Sequence, residues 1–200
     1  MSAGTEQTNE SPELSGRRDA IAGALNQMIE IYTSHSKKAF NDVMSSGLQP
    51  VAHAAGLDRI AVYRRLYQNS NRMGQSYVWV HGNTVALDKE LVVLPNIAPI
   101  IRWIEILSKN KCINGNTLEM PEDAAEFCRS FGVKALFMVP IFTHGSFWGV
   151  VTLEDHTNHR YFDEDCQELL RSAARLCANA FIRNEMTQGA KKAMKALKHR

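Results

Sequence analysis

The sequence predicts an α+β fold in which an antiparallel sheet carries helices on one face and a layer of short helices and loops on the other. Three observations predict it. First, β-type runs come as two consecutive pairs, residues 58–67 with 75–80 and the stretch 132–156 around His144-Gly145, so the sheet is made of hairpins. Second, the later hairpin reads Leu136, Phe137, Met138, Val139, Pro140, Ile141 and Phe142 without a polar break. A half-solvated antiparallel sheet alternates apolar with polar residues, so both faces of this one must be covered. Third, the chain supplies two separate covers, helical stretches at its two ends and the crossover from Gly82 to Gly132.

Taken in order, residues 1–16 form a polar run of Ser, Thr, Glu, Asn, Pro and Gly with too little apolar surface to offset the entropy of ordering, and the reading is a disordered arm. From 17 to 46, Ile21, Leu25, Met28, Tyr32, His35 and Ala39 recur at steps of four and three, which predicts one long helix with a heptad-like seam. "GLQPVAHAAG" then predicts a break and a short apolar helix or turn. In "DRIAVYRRLY" Ile60, Val62 and Leu66 share one face while Ala61, Tyr63 and Tyr67 share the other. "NSNRMG" is a turn, and "QSYVWV" is the partner strand.

In the crossover, Pro99 opens a helix whose apolar face is Ile100, Trp103, Ile104 and Leu107. "CINGNTLEM" reads as loop. Pro121 opens a second helix with Glu122 and Asp123 in its first turn, where carboxylates favour the helix dipole, and Gly132 stops it. After the later hairpin, "DHTNHRYF" is loop and Asp163 caps a long last helix, with a seam of Leu169, Ala173, Leu176 and Ala180 continued by Met186, Ala190, Ala193 and Leu197.

The later hairpin's faces depend on its loop. With a three-residue loop Thr143-His144-Gly145, Leu136, Met138, Val150, Thr152 and Glu154 share one face, and Phe137, Val139, Ile141, Phe147, Val151 and Leu153 share the other. A two-residue loop exchanges one strand's residues between the faces. The wholly apolar set suits helices. The set with Thr152 and Glu154 suits the looser crossover, where a cavity can remain.

Composition bounds the function. The chain has 200 residues, 44% hydrophobic, enough for one packed domain. Its net charge is +2, yet five of the 23 bases, Lys191, Lys192, Lys195, Lys198 and Arg200, follow the last acid, Glu185, and 18 bases remain against 21 acids in the chain up to and including it. The body is mildly acidic and the tail basic. The tail lacks aromatic interleaving and continues the helix seam, so it reads as a helical linker, with no nucleic acid or membrane partner. An N-terminal h-region and an apolar run of ~20 residues are both missing, and the expected location is the cytoplasm.

Chemical motifs are sparse. Cys112, Cys128, Cys166 and Cys177 lack metal-ligand spacing. Phosphate-loop, dinucleotide, nucleophile-elbow and zincin motifs do not occur. Glu154 and Asp155, adjacent on a strand, point to opposite faces and do not form an acid pair. His156, His159, Asp163 and Asp165 are of metal-ligand type, but a polar loop and a helix cap explain them equally, and no metal is assigned.

Residues 48–184 resemble a GAF domain through "LDRIAVYR", "RWIEILSKNKCINGNTLEMPEDAAEFCRSFGVKALFMVPIF", "HGSFWGVVTLEDH" and "YFDEDCQELLRSAARLCANAFIRN". The resemblance is to GAF domains of bacterial sensor kinases and cyclic-di-nucleotide enzymes. It implies a PAS-related sheet of five or six strands, with terminal helices on one side, often paired in a dimer, and a ligand cavity on the other. It divides the chain into an arm (1–16), a sensory domain (17–186) and a basic linker (187–200). By position, the chromophore pocket of phytochromes falls on Tyr63, Leu136, Met138 and Glu154; Thr152 joins them on the same face, and Tyr77, Trp79 and Trp103 are aromatic candidates.

The function this implies is a small-molecule sensor, not an enzyme, that regulates a histidine kinase, a diguanylate cyclase or a transcription activator through dimeric terminal helices. The ligand and any cofactor stay unnamed. The Cys-His pair of covalent bilin binders is missing from "KCIN" and "FCRS", and the cyclic-nucleotide signature has no match. Two alternatives stand beside the sensor. One is an enzyme like free methionine-(R)-sulfoxide reductase, using Cys112 and Cys128; the other is a ligand-free dimerisation module.

Overall fold

A computed structural model describes residues 12–34, 38–67, 72–81 and 93–198. The elements in chain order are α1 (Pro12–Thr33), α2 (Phe40–Ala55), β1 (Arg59–Arg65), β2 (Met73–Val80), α3 (Ala98–Leu107), β3 (Ile113–Asn116), α4 (Glu122–Ser130), β4 (Ala135–Thr143), β5 (Ser146–Asp155) and α5 (Glu164–Lys198). The strands form one sheet in the order β2-β1-β5-β4-β3, antiparallel at every pairing. This is the α+β architecture that apolar hairpins with two covers require.

Two cores flank the sheet. On one side Ile60, Val62, Phe137, Val139, Val151 and Leu153 meet α1, α2 and α5. On the other, Ala61, Tyr63, Leu136, Met138 and Val150 meet α3, α4 and the segment between them.

The helical layer departs from the single long helix expected over 17–46. Two helices occupy that region, α1 ending at Thr33 and α2 beginning at Phe40, and α1 starts at Pro12, inside the stretch expected to be a disordered arm. Residues 1–11 and His35 lie outside the described residues. The break predicted at Gly47 does not occur, because α2 runs through Gly47 and Pro50 to its left-handed cap at Gly56. An interior proline costs about 3 kcal/mol. Burial of Met44, Leu48, Val51, Ala52 and Ala55 along one face offsets it. Gly47 itself is explained by contact, since a Cβ there would overlap the ring of Tyr32, whose hydroxyl donates to the Met44 carbonyl at 3.1 Å.

Three further details differ from expectation. "CINGNTLEM" contains β3, a short edge strand whose apolar signal is a single isoleucine. The packed face of α5 centres on Cys166, Leu170, Ala173, Ala174 and Cys177, while Leu169 and Leu176 are only half-buried. The hairpin loop is two residues, His144 and Gly145, both at positive φ (50° and 76°), with Thr143 paired to Ser146. Trp148 is then an extra residue between the pairs Phe142–Phe147 and Ile141–Gly149. That bulge restores the expected faces beyond it, but Phe147, which precedes it, falls on the cavity side rather than the helix side.

Candidate ligand cavity

The face of the sheet opposite the terminal helices encloses a cavity of about 620 Å³, within the range of small-molecule sites. Its floor is strand residues Tyr63, Leu136, Met138, Thr152 and Glu154, and its far wall comes from α3 and α4. The aromatic wall follows from helix periodicity. Ile100 and Trp103 of α3 and Phe127 of α4 lie on inward faces, Trp103 and Phe127 meet edge to face at 6.0 Å, and Phe131 continues the contact at 5.1 Å from Phe127.

One corner is polar. Arg59 and Glu154 are paired across β1 and β5, so their side chains leave the sheet together, and Arg59 Nη1 donates to Glu154 Oε1 at 2.6 Å. Arg59 Nη2 donates to the Tyr63 hydroxyl at 3.0 Å and to Gln75 Oε1 at 2.6 Å. Glu154 also accepts from Thr152 Oγ1 at 2.7 Å and faces His156 Nε2 at 3.2 Å. Burial drives the Glu154 carboxyl upward, but the His156 and Thr152 hydrogen bonds and the Arg59 charge outweigh it, and the group sits below its ordinary value. Burial likewise opposes the Arg59 charge, and Glu154 and Tyr63 more than restore it. Because Glu154 is an ionised acceptor, the His156 nitrogen that faces it is the donor.

Of the eight residues expected at the site, six lie in the cavity wall: Tyr63, Trp103, Leu136, Met138, Thr152 and Glu154. Tyr77 and Trp79 do not. Both pack on the helix side of the sheet, Trp79 opposite Ile60 and Tyr77 opposite Val62. The cause is a second bulge. Val62 pairs with Tyr77 while Tyr63 pairs with Gln75, leaving Ser76 as an extra residue, so Gln75 takes the cavity face and the two aromatics take the other.

The sequence reading missed Asp58, Arg59 and Phe127, and it weighed Cys128 and His156 for other chemistry without placing them in the cavity wall. A signal existed for Arg59, a charge at the same strand parity as Ala61 and Tyr63. The metal-type residues of the 156–165 loop are dispersed: His156 faces Glu154, His159 lies 3.1 Å from Thr117 Oγ1, and Asp163 caps α5 through the Cys166 N–H at 2.8 Å. No group of three His, Cys, Asp or Glu side chains suited to a metal occurs among the described residues. No described helix is long and apolar enough to cross a membrane.

A match to the GAF domain family spans residues 41–181. The chain belongs to the GAF domain family. Among curated proteins, this GAF domain is similar to the methanogenesis regulatory histidine kinase FilI of Methanothrix harundinacea (strain 6Ac), 25% identical over 140 residues. The alignment covers 68% of this chain and 16% of that kinase, so the chain spans a small part of the relative's length. Among solved structures, the phycocyanobilin-bound GAF domain of a cyanobacterial phytochrome superposes with a TM-score of 0.59 at 17% identity, covering 89% of this chain and 98% of that one. The red light-absorbing state of NpR6012g4, a red/green cyanobacteriochrome, gives a TM-score of 0.62 at 21% identity, covering 76% and 99%. At these identities the structural likeness shows the fold.

Burial raises the thiols of all four cysteines of this GAF domain above their ordinary value. Cys128 lines the cavity, and burial together with the neighbouring Glu154 charge pushes its thiol up to about 12. Burial alone pushes Cys177, inside the helix-side core, to about 12 as well.

Proposed function

We propose that this GAF domain is a small-molecule sensor whose cavity occupancy is passed to its terminal helices. It works in the cytoplasm as a homodimer paired through those helices, with a histidine kinase as output; a diguanylate cyclase or a transcription activator fills the same role in the family. The observation that carries the reading is that adjacent residues of β5 serve the two sides of the sheet. Glu154 belongs to the cavity corner. Asp155, fully buried, accepts from the Thr157 and Asn158 N–H groups at 2.8 and 2.7 Å and from Arg160 Nε at 2.7 Å. Arg160 Nη2 in turn donates to the Ala55 and Gly56 carbonyls that end α2, at 2.7 and 2.8 Å. Its guanidinium lies 4.5 Å over the Phe162 ring, one residue before the Asp163 cap of α5.

A ligand that moves Glu154 therefore moves the anchor of α2 and the start of α5, and a population shift between two packings of these helices is the expected output. Exposed Met186, Met194 and Leu197 on the distal part of α5 support pairing with a second copy. The test is native mass spectrometry of gently purified protein for a co-purifying small molecule, followed by hydrogen exchange with and without it. The reading expects a bound mass and altered protection in α2 and α5. A bound molecule that leaves both helices unchanged overturns the relay.

The thiol-enzyme alternative draws on Cys128 in the cavity wall, and its protonated state weighs against it. Turnover of free methionine-(R)-sulfoxide that is lost in Cys128→Ser would reinstate it.

A further inference from the structure

We infer that the cavity takes a flat, largely apolar molecule carrying a cationic or N–H-donating head, and that it discriminates against carboxylates and phosphates of the same shape. This rests on the sensor reading and concerns the chemistry of the same site. Three observations lead to it.

The guanidinium in the wall is already engaged. Arg59 is 4% exposed, its terminal nitrogens are held by Glu154, Tyr63 and Gln75, and its Nε, though without a partner, is itself inaccessible. An incoming anion therefore meets a cation whose charge Glu154 has cancelled. Lys134 donates to the Thr157 carbonyl at 2.8 Å and is not part of the wall.

The second carboxylate is not cancelled. Asp58, half-buried at the cavity edge, accepts the His156 N–H at 2.7 Å and the Thr157 hydroxyl at 3.2 Å, both on Oδ2, and Oδ1 has no partner among the described residues. Among the described residues the corner thus sets two carboxylates, Glu154 and Asp58, beside the Arg59 guanidinium, and Asp58 Oδ1 is an acceptor open to whatever enters. Desolvating an anion beside them is unfavourable, whereas a donor can replace solvent at Asp58 Oδ1 with a hydrogen bond.

Most of the remaining wall is aromatic and aliphatic, with Trp103, Phe127, Phe131 and Leu136 placed for a planar ring. Trp103 and Phe127 stand at 70° to each other, presenting one face and one edge.

The test is calorimetric titration of the full chain with three probes that share one ring: tryptamine, 3-methylindole and indole-3-acetate. Tryptamine is expected to bind at least about tenfold more tightly than indole-3-acetate, with 3-methylindole between them. Asp58→Asn keeps an acceptor toward His156 and Thr157; it should weaken tryptamine about tenfold and leave 3-methylindole unchanged. Met138→Trp, which narrows the cavity at its floor, should weaken binding of all three, and binding of all three that is unaltered by it lies elsewhere and overturns the proposal. If indole-3-acetate binds as tightly as tryptamine or more so, the ligand class is wrong while the sensor reading stands. If 3-methylindole also fails to bind at millimolar concentration, the cavity is not a ligand site and both readings fall.

Discussion

Leu136 and Phe137 are neighbours on β4 and end in different surroundings. Phe137 is wholly buried among the residues that face α1, α2 and α5, its ring 6.1 Å from that of Phe162. Leu136, also buried, stands in the wall of the cavity. The helix side is closed by fit. There a glycine at 47 makes room for the Tyr32 ring and alanines line α5. The other side holds its space open with aromatic walls and keeps an ion pair and a second carboxylate in one corner. One sheet can do both because successive side chains leave it in opposite directions, so packing on one face is chosen independently of packing on the other. The closed packing is on the helix side, and the open space is on the other.

Paired substitutions break or sharpen this contrast. The largest effect should come from Phe137→Ala, at about 4 kcal/mol of unfolding free energy in urea titrations, because it leaves a void in a closed core. Leu136→Ala should cost about 2 kcal/mol, since a side chain beside an existing void has fewer neighbours to lose. Equal losses would mean that both faces are packed alike.

Next, Glu154→Gln should cost about 3 kcal/mol by leaving the Arg59 guanidinium buried without a counter-charge. The double change Arg59→Met with Glu154→Leu should be less damaging than that single one, as judged by the same titrations. A double variant worse than the single would show that the pair holds the fold rather than shaping the cavity.

The acid response is a smaller effect. Glu154 sits below its ordinary value of 4.5 in the folded chain, so as pH falls the unfolded chain takes up the proton first. Its stabilising contribution is present in full above that ordinary value and is lost as pH drops through the depressed folded value. The gap between wild type and Glu154→Gln should therefore be widest at neutral pH and shrink below about pH 4. A gap that stays constant down to pH 3 would contradict the charged pair.

The smallest effect is expected on α5 itself. Leu170 is wholly buried and Met194 is 60% exposed, so Met194→Ser should change unfolding free energy by no more than about 0.5 kcal/mol. Its consequence belongs to pairing, read by sedimentation as weaker self-association.

Much of the helix side and crossover was legible in residue order. Pro99 and Pro121 marked the starts of α3 and α4, and Asp163 the cap of α5, because those signals act within one turn of chain. The α1–α2 break carried no such mark, and α2 runs through the Gly47 and Pro50 that argued for an end, since burial along its face outweighs local propensity. The short strand β3 is made by its pairing to β4 and not by its own composition.

Residue order by itself determined that a sheet apolar on both faces must be covered twice, and on resemblance that one cover leaves a cavity, because strand periodicity is local and needs no partner to be seen. Tertiary structure alone decided which aromatics reach that cavity. Single extra residues at Ser76 and Trp148 shift strand parity, sending Tyr77 and Trp79 to the helices and Phe147 to the cavity side. It also decided the polar corner, since Arg59 and Glu154 are 95 residues apart and meet only when β1 pairs with β5. A bulge and a long-range pairing are both settled by what the neighbouring strand offers, and that is known only once the chain has folded.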